Sequence, residues 1–190
     1  MNLMAKCNGG DMKICSGNYQ IEEFKPEEYH DFFQLIDDNR EQLAVFFAGI
    51  VAKTGSLEQT KIYCEQIKQR IVEKSYFPFV IRDVSSRKFV GFVDIKNIDW
   101  AIPKAEIGYC IDRRFSRKGI TSEAVNFVIE LVAEQHKFRK IFCRVSPQND
   151  ASVKVALKNK FELEGTLRRE YRTLLGDIVD LNYYGRLFEH

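Results

Sequence analysis

A mixed α/β (α+β) fold, one sheet with helices on both faces, is what this 190-residue sequence predicts. Three observations carry it. Segments of helical period alternate with short aromatic and β-branched runs. Two pairs of such runs are separated by turn-forming residues. A strand-like run ending near residue 111 passes through a basic loop into an amphipathic helix.

Residues 12–24 read as extended. Pro26-Glu27-Glu28 then opens a helix, because Pro is tolerated in a first turn and acids there suit the helix dipole. Phe32, Leu35 and Ile36 give it an apolar stripe, and a second short helix is expected over Asn39 to Gly49. Ser56 reads as the N-cap of a helix reaching about Lys74, with Gln59 in the capping-box position. FPFVIR (77–82) and FVGFVDI (89–95) then read as a hairpin turning at Ser85-Ser86-Arg87. AEIGYCI (105–111) is a strand whose alternation sets Ile107, Tyr109 and Ile111 on one face and Glu106, Gly108 and Cys110 on the other.

The loop 112–118 leads to a helix carrying Ile120, Ala124, Val128, Leu131 and Val132. KIFCRV (140–145) is a strand. Asn149 caps a helix with Val153, Ala156 and Leu157. Strands near 162–173 and 178–187 meet at Leu175-Gly176-Asp177. No linker or repeat interrupts this order, so 1–190 reads as one domain, with 1–11 a frayed tail.

Composition narrows the function. A net charge of +2 is small for a nucleic-acid binder, so none is expected. The five cysteines are odd in number, widely spaced and without a CxxC, which argues against a disulfide framework or a zinc site. A reducing, cytoplasmic setting fits. The three histidines are scattered, so no metal is expected. No apolar run is long enough to span a membrane.

The informative stretch is IDRRFSRKGITSEAV, 111–125. A strand, a basic loop with one glycine and a helix N-terminus together make a phosphate-binding candidate. Gly119 permits close backbone approach, and Arg113, Arg114, Arg117 and Lys118 add positive charge. An ordinary solvated basic turn is the competing reading. GxxxxGK[ST] and GxGxxG are both missing, so neither a P-loop nor a dinucleotide fingerprint is present.

This segment resembles the acetyl-CoA loop of GNAT acetyltransferases, Gln/Arg-x-x-Gly-x-Gly/Ala. Gly119 matches, while Ser116 and Thr121 depart from the pattern. The register around it is similar too: AEIGYCID before the loop, TSEAV after it, and NDASVKVALKNKFELEGTLR at 149–168, where Lys160 stands at a usual glycine. LGDIVDLNYYGRL closes the chain as in the RimJ/RimL, or ribosomal-protein-serine acetyltransferase, branch. The likeness covers roughly 19–188.

The resemblance implies the GNAT fold, with a mixed, mostly antiparallel central sheet. It implies direct transfer of acetyl from acetyl-CoA, as cosubstrate, to a primary amine. The strand residues Tyr109, Cys110 and Ile111 would pair with the pantetheine arm, a main-chain N–H such as that of Cys110 facing the thioester oxygen. Ser116, Arg117, Lys118, Gly119, Ile120 and Thr121 would cradle the pyrophosphate. Asn149 would contact the cofactor arm as well as cap its helix, and Ser152 would be the acid for the departing thiolate. Glu170 and Glu106 are rival bases. Asn39 and Arg40 resemble a branch feature near the acceptor. Cys110 as a nucleophile is the weaker idea, a buried spectator thiol being the simpler one. The rings of Trp100 and Tyr109 read as packing rather than ligand stacking.

The acceptor stays open. The N-terminal amine of a ribosomal protein comes first. A polyamine or aminoglycoside is the alternative, with Asp37-Asp38 and Glu27-Glu28 as acidic walls. A non-catalytic acetyl-CoA sensor is the third reading. The acceptor pocket is expected mainly from 26–60 and 97–104, and the resemblance admits a homodimer.

Overall fold

Alternation in the aromatic and β-branched runs decides the sheet. The computed structural model describes residues 14–189, so the expected frayed tail at 1–11 lies outside the described residues. Eight strands follow: β1 (Ile14–Ser16), β2 (Tyr19–Glu23), β3 (Phe77–Asp83), β4 (Phe89–Asp99), β5 (Lys104–Ile111), β6 (Lys140–Val145), β7 (Glu162–Arg172) and β8 (Ile178–Leu187). They form one sheet in the order β1-β2-β3-β4-β5-β6-β8-β7. Every neighbouring pair is antiparallel except β5 and β6. The expected mixed, mostly antiparallel sheet is therefore present.

Helices cover both faces because successive strand residues point to opposite sides. On one face lie α1 (Tyr29–Asp37), α2 (Arg40–Phe46), α3 (Ala48–Lys53) and α4 (Leu57–Val72). Their core joins Phe32, Ile36, Leu43, Ile50 and Ile67 to Val80, Phe92 and Cys110 of the strands. Phe92 meets Phe32 at 5.0 Å and Phe24 at 5.9 Å between ring centres. On the other face α5 (Ile120–His136) and α6 (Asp150–Lys158) pack Ala124, Val128, Val132 and Ala156 on Ile81, Val93, Ile107 and Tyr109. The split of Ile107 and Tyr109 from Cys110 is the one the alternation predicts.

Within the segment expected to be extended, β1 and β2 form a hairpin with Gly17 at φ 59° in its turn. The helix expected over Asn39–Gly49 is in fact two, α2 and α3. Phe47 breaks the run at φ −128°, ψ 38°, and the Ala48 N–H it frees donates to the Tyr171 hydroxyl of β7 at 2.7 Å. A partner so distant in sequence leaves no local signal. Ser56 caps α4 as expected, its hydroxyl accepting from the Gln59 N–H at 3.2 Å. Asn149 caps α6, its Oδ1 accepting from the Ser152 N–H at 3.1 Å.

Helix α6 ends in a Schellman turn. The Phe161 N–H reaches the Ala156 carbonyl at 3.1 Å and the Lys160 N–H reaches Leu157 at 3.0 Å. Lys160 takes the left-handed position, φ 61°. The conformation of the usual glycine is thus kept without the glycine. Lys160→Gly should raise unfolding stability by about 0.5–1 kcal/mol, the relief of a left-handed side chain less the entropy cost of glycine. Urea denaturation of the two proteins checks it.

Candidate active site

The site begins where β5 and β6 part. Their parallel pairing covers Lys104↔Lys140, Ala105↔Ile141 and Glu106↔Phe142 and then stops. β5 continues to Ile111, still paired on its other side with β4. The Asp112 N–H donates to the Val90 carbonyl at 2.7 Å, so by the two-residue period Cys110 and Gly108 also direct their backbone groups at β4. The Cys110 carbonyl lies beside Gly91 of β4, as that parity requires. This corrects the expectation for the Cys110 N–H, which faces β4. The backbone groups of Tyr109 and Ile111 are the ones left at an edge without a strand partner. The Cys110 side chain lies in the helical core on the far face, and burial pushes its thiol up to about 12. It is an inert packing residue.

A cavity of about 310 Å³ occupies the fork and is lined from both faces of the sheet. On the α6 side stand Tyr109, Cys143, Asn149 and Ser152. The Tyr109 hydroxyl donates to the Ser152 carbonyl at 3.0 Å. Burial, then the neighbouring Cys143, holds that phenol well above the ordinary 10.0, so it stays protonated and donating. Asn149 and Ser152 therefore reach the cavity together with the β5 residue expected to join them.

On the other side the wall is polar and paired. Arg144 of β6 donates from Nε to Glu106 Oε1 at 3.2 Å and from Nη2 to Oε2 at 3.0 Å. Its Nη1 donates to Glu170 Oε1 at 3.0 Å. The two rival bases thus share one guanidinium, Glu106 buried in the wall and Glu170 exposed on β7. Asn97 adds a bond to Glu106 Oε2 at 2.6 Å. It sits at φ 49° where the β4–β5 register shifts, a bulge that aims its amide inward.

Next to this lies Asp94, 2 % exposed, accepting from the Tyr76 hydroxyl at 2.8 Å and from Lys96 at 3.1 Å. Burial pulls hardest on the Lys96 ammonium, but Asp94 and then Glu106 outweigh it and keep its pKa above the ordinary 10.5. Gly108 makes room for this pair, since a Cβ there would run into Asp94 Oδ1. Phe46, Phe47, Tyr63 and Tyr171 complete the wall. Of the expected acceptor segments, 26–60 contributes through Phe46 to Lys53, whereas 97–104 contributes no lining residue. Tyr63 and Arg70 of α4 take that place. Trp100 stacks on Phe138 at 5.3 Å and is packing.

At the far end of β5 the loop 112–118 holds itself together. Asp112 accepts from the Arg114 N–H at 2.8 Å and from its guanidinium, and Arg114 also reaches Asp38 at 2.8 Å. Arg114 is therefore committed to carboxylates, while Arg113, Arg117 and Lys118 are exposed. Arg117 at φ 63° and Gly119 at φ 81° turn the chain into α5, and no side chain caps the helix. The N–H groups of its first turn, at Ile120, Thr121 and Ser122, are left for an outside acceptor such as a phosphate. Burial works against the Asp112 carboxylate most, but the bonds from Arg114 prevail and hold its pKa below the ordinary 3.8.

Asn39 and Arg40 are brought elsewhere than expected. The Asn39 amide donates to the Leu35 carbonyl at 2.9 Å and its Oδ1 accepts from the Arg113 N–H at 3.1 Å. Arg40 caps α3 through the Thr54 and Val51 carbonyls and pairs with Asp37. Neither lines the cavity. They are ties between α1, α3 and the basic loop, a role that only the tertiary fold reveals. The residues missed by sequence reading are Arg144, Asp94 and Lys96 on the strands, with Tyr76, Tyr63 and Arg70 beside them. Charges inside apolar strands were the available signal, since such groups must find partners.

Comparison with known proteins bears on the fold and the family. The chain is 31% identical over 103 residues to the ribosomal-protein-serine acetyltransferase of Escherichia coli (strain K12), a match spanning 54% of this chain and 56% of that relative. The chain thus spans little more than half the length of the curated relative it matches. Among solved structures, the ribosomal-protein-S5-alanine acetyltransferase from Vibrio fischeri superposes with a TM-score of 0.84 at 23% identity, covering 93% of this chain and 97% of that one. RimL, a ribosomal L7/L12 α-N-protein acetyltransferase in complex with coenzyme A, gives 0.82 at 22% identity, covering 91% and 96%. At such identities the superpositions show the shared fold. Residues 20–162 match the family described as acetyltransferase (GNAT) domain, and with most of its length matched the chain belongs to the GNAT acetyltransferase domain family.

Proposed function

We propose that this protein is an N-acetyltransferase that moves an acetyl group from acetyl-CoA to a primary amine by direct attack. The observation that carries the reading is the fork between β5 and β6. It leaves the Tyr109 and Ile111 edge unpaired, with an uncapped helix N-terminus at one end and a cavity lined by ionisable groups at the other.

An extended pantetheine arm would take up the free main-chain groups of β5, as a strand would. The first-turn amides of α5, with Arg117 and Lys118 beside them, would hold the pyrophosphate. Asn149 and Ser152 would stand along the arm. The protein holds the two reactants together, which supplies much of the rate. The amine nitrogen bonds to the acetyl carbon and the carbon–sulfur bond breaks. Glu106 receives the amine proton through a water and releases it to solvent, while the Ser152 hydroxyl passes a proton to the sulfur and takes one back from solvent. An α-amine has an ordinary pKa of about 8 against about 10.4 for lysine, so far more of it is in the neutral, attacking form near pH 7. Glu170 then acts as a positioning residue through Arg144.

The names of the relatives favour the N-terminal amine of a ribosomal protein as acceptor. The polyamine reading loses its footing. Asp37 pairs with Arg40, Asp38 with Arg114, Glu27 with Lys68 and Glu28 with Arg82, all away from the cavity. The proposal sets the enzyme in the cytoplasm, acting without nucleic acid, where the buried thiols Cys64, Cys110 and Cys143 stay reduced. A homodimer accompanies it by family likeness.

Steady-state release of free CoA against N-terminal peptides, lysine peptides, polyamines and aminoglycosides tests the reading. Turnover of an amine supports it; failure to bind acetyl-CoA by calorimetry sinks it, and binding without turnover indicates a sensor. Ser152→Ala and Glu106→Gln should each keep acetyl-CoA affinity and lose about 100-fold in kcat, the lower range of general acid–base catalysis. Glu170→Gln should lose less. Asp112→Asn should loosen the loop and weaken acetyl-CoA binding. Because the folded Asp112 carboxyl is depressed below the ordinary 3.8, its contribution is full above that pH and fades as pH falls through the folded value. Thermal melts of wild type and Asp112→Asn should therefore differ at neutral pH and converge in acid.

A further inference from the structure

The charges on the cavity wall do not balance. Six ionisable residues with settled charge line it: Lys53, Arg70, Asp94, Lys96, Glu106 and Arg144. Both carboxylates are already matched, Asp94 by Lys96 and Glu106 by Arg144. Lys53 and Arg70 remain. Among the described residues neither forms an ion pair. Each instead lies on a tyrosine ring, Lys53 Nζ 5.0 Å from the centre of Tyr63 and the Arg70 guanidinium 4.0 Å from that of Tyr76. Tyr63 and Arg70 are seven residues apart on α4, so they share one face two turns apart. Lys53 ends α3 beside them.

A guanidinium held over a ring face still has N–H groups to offer an acid group. The two phenols beneath are no counter-ions. Burial and Asp94 push Tyr63 up to about 12 and hold Tyr76 well above its ordinary 10.0, so both stay neutral. Half-buried Arg70 and exposed Lys53 thus have no carboxylate partner among the described residues, at the mouth of the same cavity as the proposed base.

We propose that the amine acceptor carries an anionic group of its own, bound by Arg70 and Lys53 while its amine is presented at the fork. The inference rests on the transferase reading. The acid could be the carboxylate of a free amino acid or an acidic side chain next to a peptide N-terminus, and both offer the same chemistry. Polycationic amines would be repelled.

CoA release is measured with matched pairs: an amino acid against its carboxamide, and C-terminally amidated peptides with Glu against Gln at the second position. The acid of at least one pair should be preferred in kcat/KM by about tenfold or more, the order of one charge-assisted hydrogen bond. The pair that shows it names the source. In Arg70→Gln that ratio should collapse through KM. In Arg70→Glu it should invert toward neutral or cationic acceptors, a gain that a misfolded variant cannot mimic. Ratios near one in both pairs, with measurable turnover, overturn this proposal and leave the transferase standing. No turnover with any acceptor, although acetyl-CoA binds, overturns both.

Discussion

Parallel pairing between β5 and β6 lasts for three residues, and the rest of the molecule is arranged around its failure. A strand edge left open inside a protein is costly unless water or a ligand satisfies it. Here the cost is localised. β5 remains firmly paired to β4, and β6 to β8, so each side of the fork is rigid. The opening is therefore a fixed gap, wide enough for the cavity and reachable from both faces. Glu106, the last paired residue, sits at its apex and is clamped by Arg144 from the opposite strand.

The clamp shows how the interior tolerates so much charge. Asp94 and Glu106 are almost fully buried, yet each oxygen has a donor from Tyr76, Lys96, Asn97 or Arg144. Among the described residues no buried side-chain polar atom lacks a partner. Such pairs add little net stability over apolar packing, but removing one member strands the other at a cost of several kcal/mol. On the proposed reading, such pre-set charges at the fork suit a reaction in which charge develops.

Much of this was legible in the residues. Ser56 and Asn149 announce helix starts, because caps are local affairs. Leu175-Gly176-Asp177 announces the last hairpin for the same reason. The period-two pattern of 105–111 sorted the two faces of β5 correctly. What stayed hidden depends on register. Asp94 stands opposite Gly108 and Lys96 opposite Glu106, pairings that no spacing along the chain reveals. The break at Phe47 depends on Tyr171, and the roles of Asn39 and Arg40 depend on helix ends brought beside them by packing. The Cys110 amide was misassigned because parity fixes alternation but not which neighbour each alternate group meets.

The closing hairpin of β7 and β8 reaches across to the helices on the first face. Tyr171 holds the Ala48 N–H, and the Leu174 N–H bonds the Ala44 carbonyl at 3.2 Å. One wall of the cavity is thereby built by a piece of chain that takes no part in the basic loop at the other end of β5. On the proposed reading, the hairpin could be rewritten for a new recipient with little disturbance to the cofactor end, since among the described residues the helices of the first face bond to the basic loop only through the ties of Asp38 and Asn39.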